Sequence, residues 1–391
     1  MATKKDYIKT IQIRYKQAKS RAEKTAIISE VEENLKVHRK HAIRVVNTPL
    51  KHRPKKTRLK KPKYHYALAK PLSQIWTVAG KPCSKRLKPM IPELITKLKQ
   101  FNEIVLTPTD EILLSQIGTS TIDKLLNASR ARIKKRGVSG TKSSPLLKHL
   151  IPVRTDFSEV NEPGHVELDC VLHCGETTKG RYAETLNLLD IHTHWNEKQI
   201  FLHKTKRKIV GSVHTLKKNF PFQLKSIDFD NGYVFVNWHL KKYCDQYELS
   251  YTRSRSYHKN DQAHIESKNF HSIRKVIGYA RIESDEVVSA INDLYQNEHR
   301  LLTNFFYSTM KLKSREKING KYKKQYERAQ TPNQRVMDSK QVGLAVKMKL
   351  MGEYKKLNPA ELQRGMTRKL SRIRELIWVT KLNWATPPES S

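Results

Sequence analysis

At residue 164 the hydrophobic pattern of this chain changes period, and the change limits the folds open to it. Residues 165–174 alternate apolar and polar side chains, the period-two mark of a half-buried strand. A turn between Gly175 and Gly180 leads to a second strand over 182–191, and a third is expected over 198–203. Helical spacing follows over 206–219, then a strand over 224–228, a helix over 233–247, a short strand over 248–251 and a long helix over 261–279. Strands that cluster first and then alternate with helices build an α/β domain on a mixed sheet.

The chain before residue 164 reads differently. Tyr7, Ile8, Ile11 and Tyr15 recur at helical spacing, and Ser20 with Glu23 makes a capping box ahead of Ala26, Ile27 and Val31. A break near Asn34 leads into a second, basic helix carrying Arg39, Lys40 and Arg44 on its polar face. Helix, tight turn and basic helix form a helix-turn-helix pattern, whose second helix can enter a DNA major groove. A stretch dominated by Lys, Arg, His and Pro follows, with Lys55, Lys56, Arg58, Lys60 and Lys61 as candidate phosphate contacts. Leu94, Ile95 and Leu98 pattern a further helix, and Ile112, Leu113 and Ile117 another. Gly118 then turns the chain into a helix that Ser120 and Asp123 are expected to cap, with Ser120, Thr121 and Lys124 near its start.

The expected organisation is a helix-turn-helix module over 1–47, a basic arm over 48–65, a second helical DNA-binding domain over 66–135 and a linker over 136–163. The α/β core covers 164–310, and a basic, largely helical region covers 311–391. Charge explains why so much of the chain is expected to touch nucleic acid. The 391 residues hold 76 Lys and Arg against 37 Asp and Glu, a formal net charge of +39. Self-repulsion on that scale opposes compaction unless a polyanion relieves it. No apolar run reaches the ~20 residues of a membrane span, so a membrane partner is not expected. The four cysteines make no Cys-x-x-Cys pair, which suits a reducing cytoplasm. His38 and His41 make a loose His-x-x-His without cysteine partners, and read as solvated or DNA-facing side chains.

Three carboxylates stand out in the α/β segment. Asp169 falls in the middle of an apolar strand, Asp230 at a strand end before Gly232, and Glu266 near a helix start. A carboxylate in an apolar strand is costly unless a cation neutralises it. Two Mg²⁺ ions ~4 Å apart, held by three carboxylates and a substrate phosphate, would do so, with Mn²⁺ as a substitute. Glu167 and Asp228 each lie two residues before a proposed ligand, on the same strand face, and are the nearest alternatives. Asp190, His192 and His194 read as a polar turn. His258 and His264 read as loop and helix-start side chains near DNA or, alternatively, as groups that orient the nucleophile or scissile phosphate, and Trp195 and Trp238 read as core.

Asp230 and Glu266 have 35 residues between them. With Leu168-Asp169-Cys170, Asp230-Asn231-Gly232 and Glu266-Ser267 in that order, the segment resembles the catalytic core of retroviral integrases and of bacterial insertion-sequence transposases. The likeness covers roughly residues 160–310. It implies an RNase H-like fold, with Asp169, Asp230 and Glu266 as both the catalytic and the metal-binding triad. It also implies Mg²⁺-dependent strand cleavage and strand transfer on double-stranded DNA, at element ends and at a target. A homo-oligomer in the DNA complex and a bacterial cytoplasmic or nucleoid location follow from the same likeness.

The amino-terminal half and Thr331-Pro-Asn-Gln-Arg335 resemble the transposases in particular, since the His-His-Cys-Cys zinc domain of retroviral integrases is missing. Where retroviral enzymes carry a DNA-contacting lysine four residues after the glutamate, this chain has Phe270. The contact is expected to pass to Lys268, Arg274 or Lys275. The competing readings are an RNase H-like nuclease without strand transfer and a non-catalytic, transposase-derived DNA-binding protein.

Overall fold

The structure, a computed structural model, describes residues 4–49, 63–131, 160–203, 205–229, 238–253, 265, 268–318 and 321–385. The chain divides into two compact units, Met1–Lys63 and Tyr64–Ser391.

The first unit contains helices α1 (Lys4–Gln17), α2 (Arg21–Leu35) and α3 (Arg39–Asn47). Ser20 caps α2 as its sequence implies: the Glu23 N–H donates to Ser20 Oγ at 3.1 Å, and Glu23 Oε2 accepts from the Ser20 N–H at 3.4 Å. Lys36 ends α2 in the left-handed region, at φ 49°. His38 then caps α3, its ring Nδ1 accepting from the Lys40 N–H. Ile11, Ile27, Ile28, Val31, Ala42 and Val46 form a core of their own. Gln12 donates to the Val45 and Thr48 carbonyls at 2.7 and 2.8 Å, serving backbone acceptors at the end of α3 that the helix leaves open.

The second unit begins with α4 (Ala69–Val78), α5 (Ser84–Leu87), α6 (Ile91–Gln100), α7 (Pro108–Gln116), α8 (Thr119–Leu125) and α9 (Asn127–Ala131). The N-cap of α8 is Gly118, and Ser120 lies within the helix, which corrects the expected cap. Asp123 is engaged elsewhere, by Ser84 Oγ at 2.9 Å and Arg130 at 2.6 Å.

A five-stranded mixed sheet follows: β1 (His165–His173), β2 (Ala183–Asp190), β3 (Asn196–Leu202), β4 (Ser226–Phe229) and β5 (Ser250–Arg253). Its order is β3-β2-β1-β4-β5. The first three strands are antiparallel neighbours, whereas β1 with β4 and β4 with β5 are parallel. Parallel neighbours need crossovers, and α10 (Lys206–Lys217) and α11 (Trp238–Gln246) lie in those connections. Trp238, expected in the core, is 58% exposed. The buried stripe of α11 is Leu240, Tyr243 and Cys244. At 100° per residue Trp238 falls on the opposite side.

Beyond the sheet come α12 (Asp285–Gln296), α13 (Pro332–Asp338), α14 (Leu344–Lys356) and α15 (Pro359–Ala385). Within the region expected to be largely helical, the chain instead gives β7 (Lys321–Tyr326), which pairs antiparallel with β6 (Leu312–Ile318). Most of this ribbon is exposed, with Leu312, Ile318, Tyr322 and Tyr326 among its open side chains. No face is buried enough to impose an alternating pattern, so the sequence carries little strand signal.

The helices of 69–126, the sheet and the C-terminal helices share one hydrophobic core. Polar ties hold the ends of the second unit together. Arg364 makes two 2.8 Å bonds to Glu103, pulling that carboxyl down to about 2, and Lys97 Nζ donates to the Lys355 carbonyl at 2.9 Å. Among the described residues no helix is long and apolar enough to cross a membrane.

Candidate active site

Asp169 is the fifth residue of β1, the central strand. It is half-buried, with both oxygens engaged. Its Oδ1 accepts the Cys170 N–H at 2.7 Å, and its Oδ2 accepts Asn269 Nδ2 at 2.6 Å. Period-two alternation puts Glu167 on the same face as Asp169. The parallel register then sets Glu167 beside Asp228 and Leu168 beside Phe229. Glu167 and Asp228 are fully buried. Glu167 Oε2 accepts the Ile265 N–H at 2.8 Å, and Asp228 Oδ1 accepts from Thr252 Oγ1 at 3.1 Å.

Asp230 and Glu266, the other two acids of the expected triad, lie outside the described residues, as do His258 and His264. Their described neighbours converge on β1. Phe229, next to Asp230, ends β4 alongside Leu168. Ile265, next to Glu266, is bonded to Glu167, and Asn269, three residues after Glu266, is bonded to Asp169. Among the described residues, no three His, Cys, Asp or Glu side chains stand close enough to hold a metal.

Asn269 opens a π-helical segment, Asn269–Arg274, a wider turn of the kind often found at functional sites. Below it a polar row crosses the sheet, because the register sets Asp169 opposite Asn187 and Asn187 opposite Lys198. Asn187 Nδ2 donates to Asn269 Oδ1 at 2.7 Å, Asn196 Nδ2 to Asn187 Oδ1 at 2.6 Å, and Lys198 Nζ to Asn196 Oδ1 at 2.7 Å. Burial lowers the Lys198 ammonium to about 7, against the opposing pull of Glu197. Burial raises the Glu197 carboxyl despite Arg300, which bonds it at 3.0 Å. Asn187, Asn196, Lys198 and Asn269 are not among the residues that sequence reasoning singles out. The available signal is Asn187, set among apolar residues of the strand expected over 182–191, where asparagine is disfavoured.

Lys268 is half-buried, and burial, then Lys198, Arg335 and Arg86, hold its pKa well below the ordinary lysine value. The Arg274 guanidinium lies 4.9 Å from the Tyr279 ring centre. Lys275 and Phe270 are both exposed. In the first unit Arg39 bonds Glu32 at 2.9 Å, whereas Lys40 and Arg44 are exposed. Ser120 and Lys124 are exposed and Thr121 half-buried. Lys55, Lys56, Arg58, Lys60 and Lys61 lie outside the described residues.

Two other polar features have structural partners. Asp190, fully buried, accepts the Gly164 N–H at 2.8 Å and both the N–H and hydroxyl of Thr193 at 2.6 Å, closing a turn. Desolvation raises its carboxyl to about 6. In the Thr331–Arg335 run, Thr331 and Gln334 form the capping box of α13, and buried Arg335 donates to the Thr309 carbonyl at 3.1 Å.

No family model matches the chain. The HTLV-2 integrase catalytic core domain, solved in complex with magnesium in a dimeric form, aligns with 38% of this chain and 90% of its own length. Identity there is 12% and the TM-score 0.28, too low to establish common structure or activity. The uncharacterized protein y4rM of Sinorhizobium fredii is 34% identical over 330 residues, spanning 83% of this chain and 93% of y4rM. At that identity and coverage, the chain belongs to the same protein family as y4rM of Sinorhizobium fredii.

Proposed function

We propose that the protein is a DNA transposase or integrase that cleaves and joins DNA strands at mobile-element ends, with Asp169, Asp230 and Glu266 as its metal-binding triad. The observation that carries this reading is convergence. Residues flanking Asp230 and Glu266 meet the strand that carries Asp169, and Asp169 keeps partial access to solvent while Glu167 and Asp228 are buried. The donor set suits hard divalent cations, which prefer carboxylate oxygens. Like charges at facing strand positions repel, so Glu167 beside Asp228 adds to the benefit of a nearby cation.

When bound, a pair of Mg²⁺ ions supplies Lewis acidity to the attacking and leaving oxygens of an in-line phosphoryl transfer. The protein's own part is orientation. The Cys170 N–H and the Asn269 amide fix the Asp169 carboxylate, and Glu167 ties the backbone beside Glu266 to β1. Register on DNA is assigned to the first unit, with α3 as a recognition helix presenting Lys40 and Arg44. Ser120, Thr121 and Lys124 at the start of α8 are a second reading edge. Two element ends must be brought together for joining, so the active species is an oligomer on double-stranded DNA.

The test combines the protein with Mg²⁺, labelled element-end DNA and a target plasmid, beside an Asp230→Asn variant. Joined products that disappear in the variant support the reading. Nicking without joining points to a nuclease, and equal DNA binding without chemistry in either protein sinks the enzymatic reading.

A further inference from the structure

We infer that Lys198 is an internal counter-charge for Asp169, coupled to it through a one-directional chain of three side-chain amides, and that Asn187, Asn196 and Lys198 are therefore positioning residues. The inference rests on the reading of Asp169 as a metal-ligating carboxylate. Its geometry begins with a row: Asp169, Asn187 and Lys198 are register partners across β1, β2 and β3. Two strand spacings separate the ends by roughly 10 Å, too far for direct contact between the charged groups. Asn196, two residues before Lys198, shares its face, and Asn269 reaches the row from the π-helical segment above.

Every amide in the chain has the same orientation. Lys198 Nζ donates to the Asn196 oxygen, the Asn196 nitrogen to the Asn187 oxygen, the Asn187 nitrogen to the Asn269 oxygen, and the Asn269 nitrogen to Asp169 Oδ2. The four distances run from 2.6 to 2.7 Å. Below its lowered pKa of about 7, Lys198 is a cation that only donates at one end, and a carboxylate that only accepts stands at the other. Turning any one amide over would set donor against donor and acceptor against acceptor, so the end charges fix all three. Aligned dipoles in a poorly solvated interior polarise one another, which lets the ammonium act on the carboxylate beyond its own reach.

The remaining polar atoms of Asn196 are also used. Its nitrogen donates to the Leu188 carbonyl at 2.9 Å as well, and Ser272 Oγ, whose proton is shared with the Lys268 carbonyl at 2.9 Å, lies 3.3 Å from its oxygen. These bonds leave Asn196 no freedom to rotate. The consequence for the site is that Asn269 always presents N–H to Asp169 Oδ2, holding that carboxylate in one orientation. Around Lys198 stand Glu197, Lys268, His299 and the Tyr295 ring, so the relay is its route to the acid face.

The decisive experiment is a double-mutant cycle of Asp169→Asn and Lys198→Met in the full chain, by urea denaturation without metal, with Mn²⁺ affinity measured separately by electron paramagnetic resonance. Positions this far apart without coupling give unfolding constants that multiply within about twofold. The relay requires a departure of at least about fivefold from that product. Lys198→Met is further expected to weaken Mn²⁺ binding by about 10–100-fold, the range for residues that orient a ligand. Asn187→Leu cuts the chain in its middle and should weaken Mn²⁺ equally, which a merely structural lysine would not require. A cycle that multiplies within about twofold overturns the relay, as does unchanged Mn²⁺ affinity in both variants. A wild-type protein that binds no Mn²⁺ overturns the metal reading instead, and the metal-free cycle still decides the relay.

Discussion

Asp169 and Asp190 lie on neighbouring strands of one sheet, yet they are held in opposite ways. Asp190 is at the end of β2, opposite Val166, with no solvent exposure and three donors from a turn aimed at it. Asp169 is in the middle of β1, half-buried, with the Cys170 N–H and the Asn269 amide among its partners. A buried carboxylate surrounded by donors closes a turn. One that keeps partial access to solvent is suited to binding something that the fold does not supply. Position along the strand does not separate the two cases, since both acids occur in apolar runs.

The contrast can be broken most sharply at Asp169. Asp169→Asn should bring strand cleavage and joining to background, while urea denaturation shows stability unchanged or raised. A large loss of stability would put Asp169 in the same class as Asp190. Asp190→Ala should do the reverse, costing about 3 kcal/mol by leaving the Gly164 and Thr193 donors unsatisfied, again read by urea denaturation.

The pH dependence sharpens that second case. The Asp190 pKa is raised from 3.8 to about 6 in the fold, so its contribution is fully present below the lower value and diminishes as pH rises through the upper one. The stability difference between wild type and Asp190→Ala should therefore shrink from about pH 4 to about pH 6. A difference that grows over that window contradicts the desolvated carboxyl.

Smaller effects test the edges of the comparison. Glu167→Gln keeps an acceptor for the Ile265 N–H but removes a charge beside Asp228, so cleavage should fall by about 10–100-fold without loss of stability. Undiminished cleavage would mean that the charge of Glu167 plays no part in the site. The smallest effect is expected far from the sheet. Arg44→Ala should reduce the slope of log affinity against log salt by about 0.9 for each phosphate that the arginine neutralises. An unchanged slope in a DNA-binding titration would remove α3 from the DNA-binding surface.

Much of the fold is legible in the sequence because periodicity reports burial. The switch near residue 164 marks the sheet, and the observed strands begin within a few residues of the expected ones. Ser20 with Glu23 signals a capping box that is present, since its geometry depends only on residues three apart. Legibility fails where partners are remote or burial is slight. Asp123 reads as a local cap and instead bonds Ser84, 39 residues away, as well as Arg130. Trp238 reads as core on its size alone, against the phase of its own helix. The β6–β7 ribbon carries no alternation to read because most of it is exposed.

The sequence by itself determined the order of elements, the excess of positive charge and the three acids with their 35-residue interval, all of which are properties of residue type and spacing. Only the tertiary structure decided that Asp169 stays accessible while Glu167 and Asp228 are enclosed. It alone set Asn187 and Lys198 in register with Asp169, and brought Asn269 across 100 residues to bond it. Strand pairing joins residues that no local period relates. A side chain's electrostatic fate depends on the neighbours which that pairing assembles.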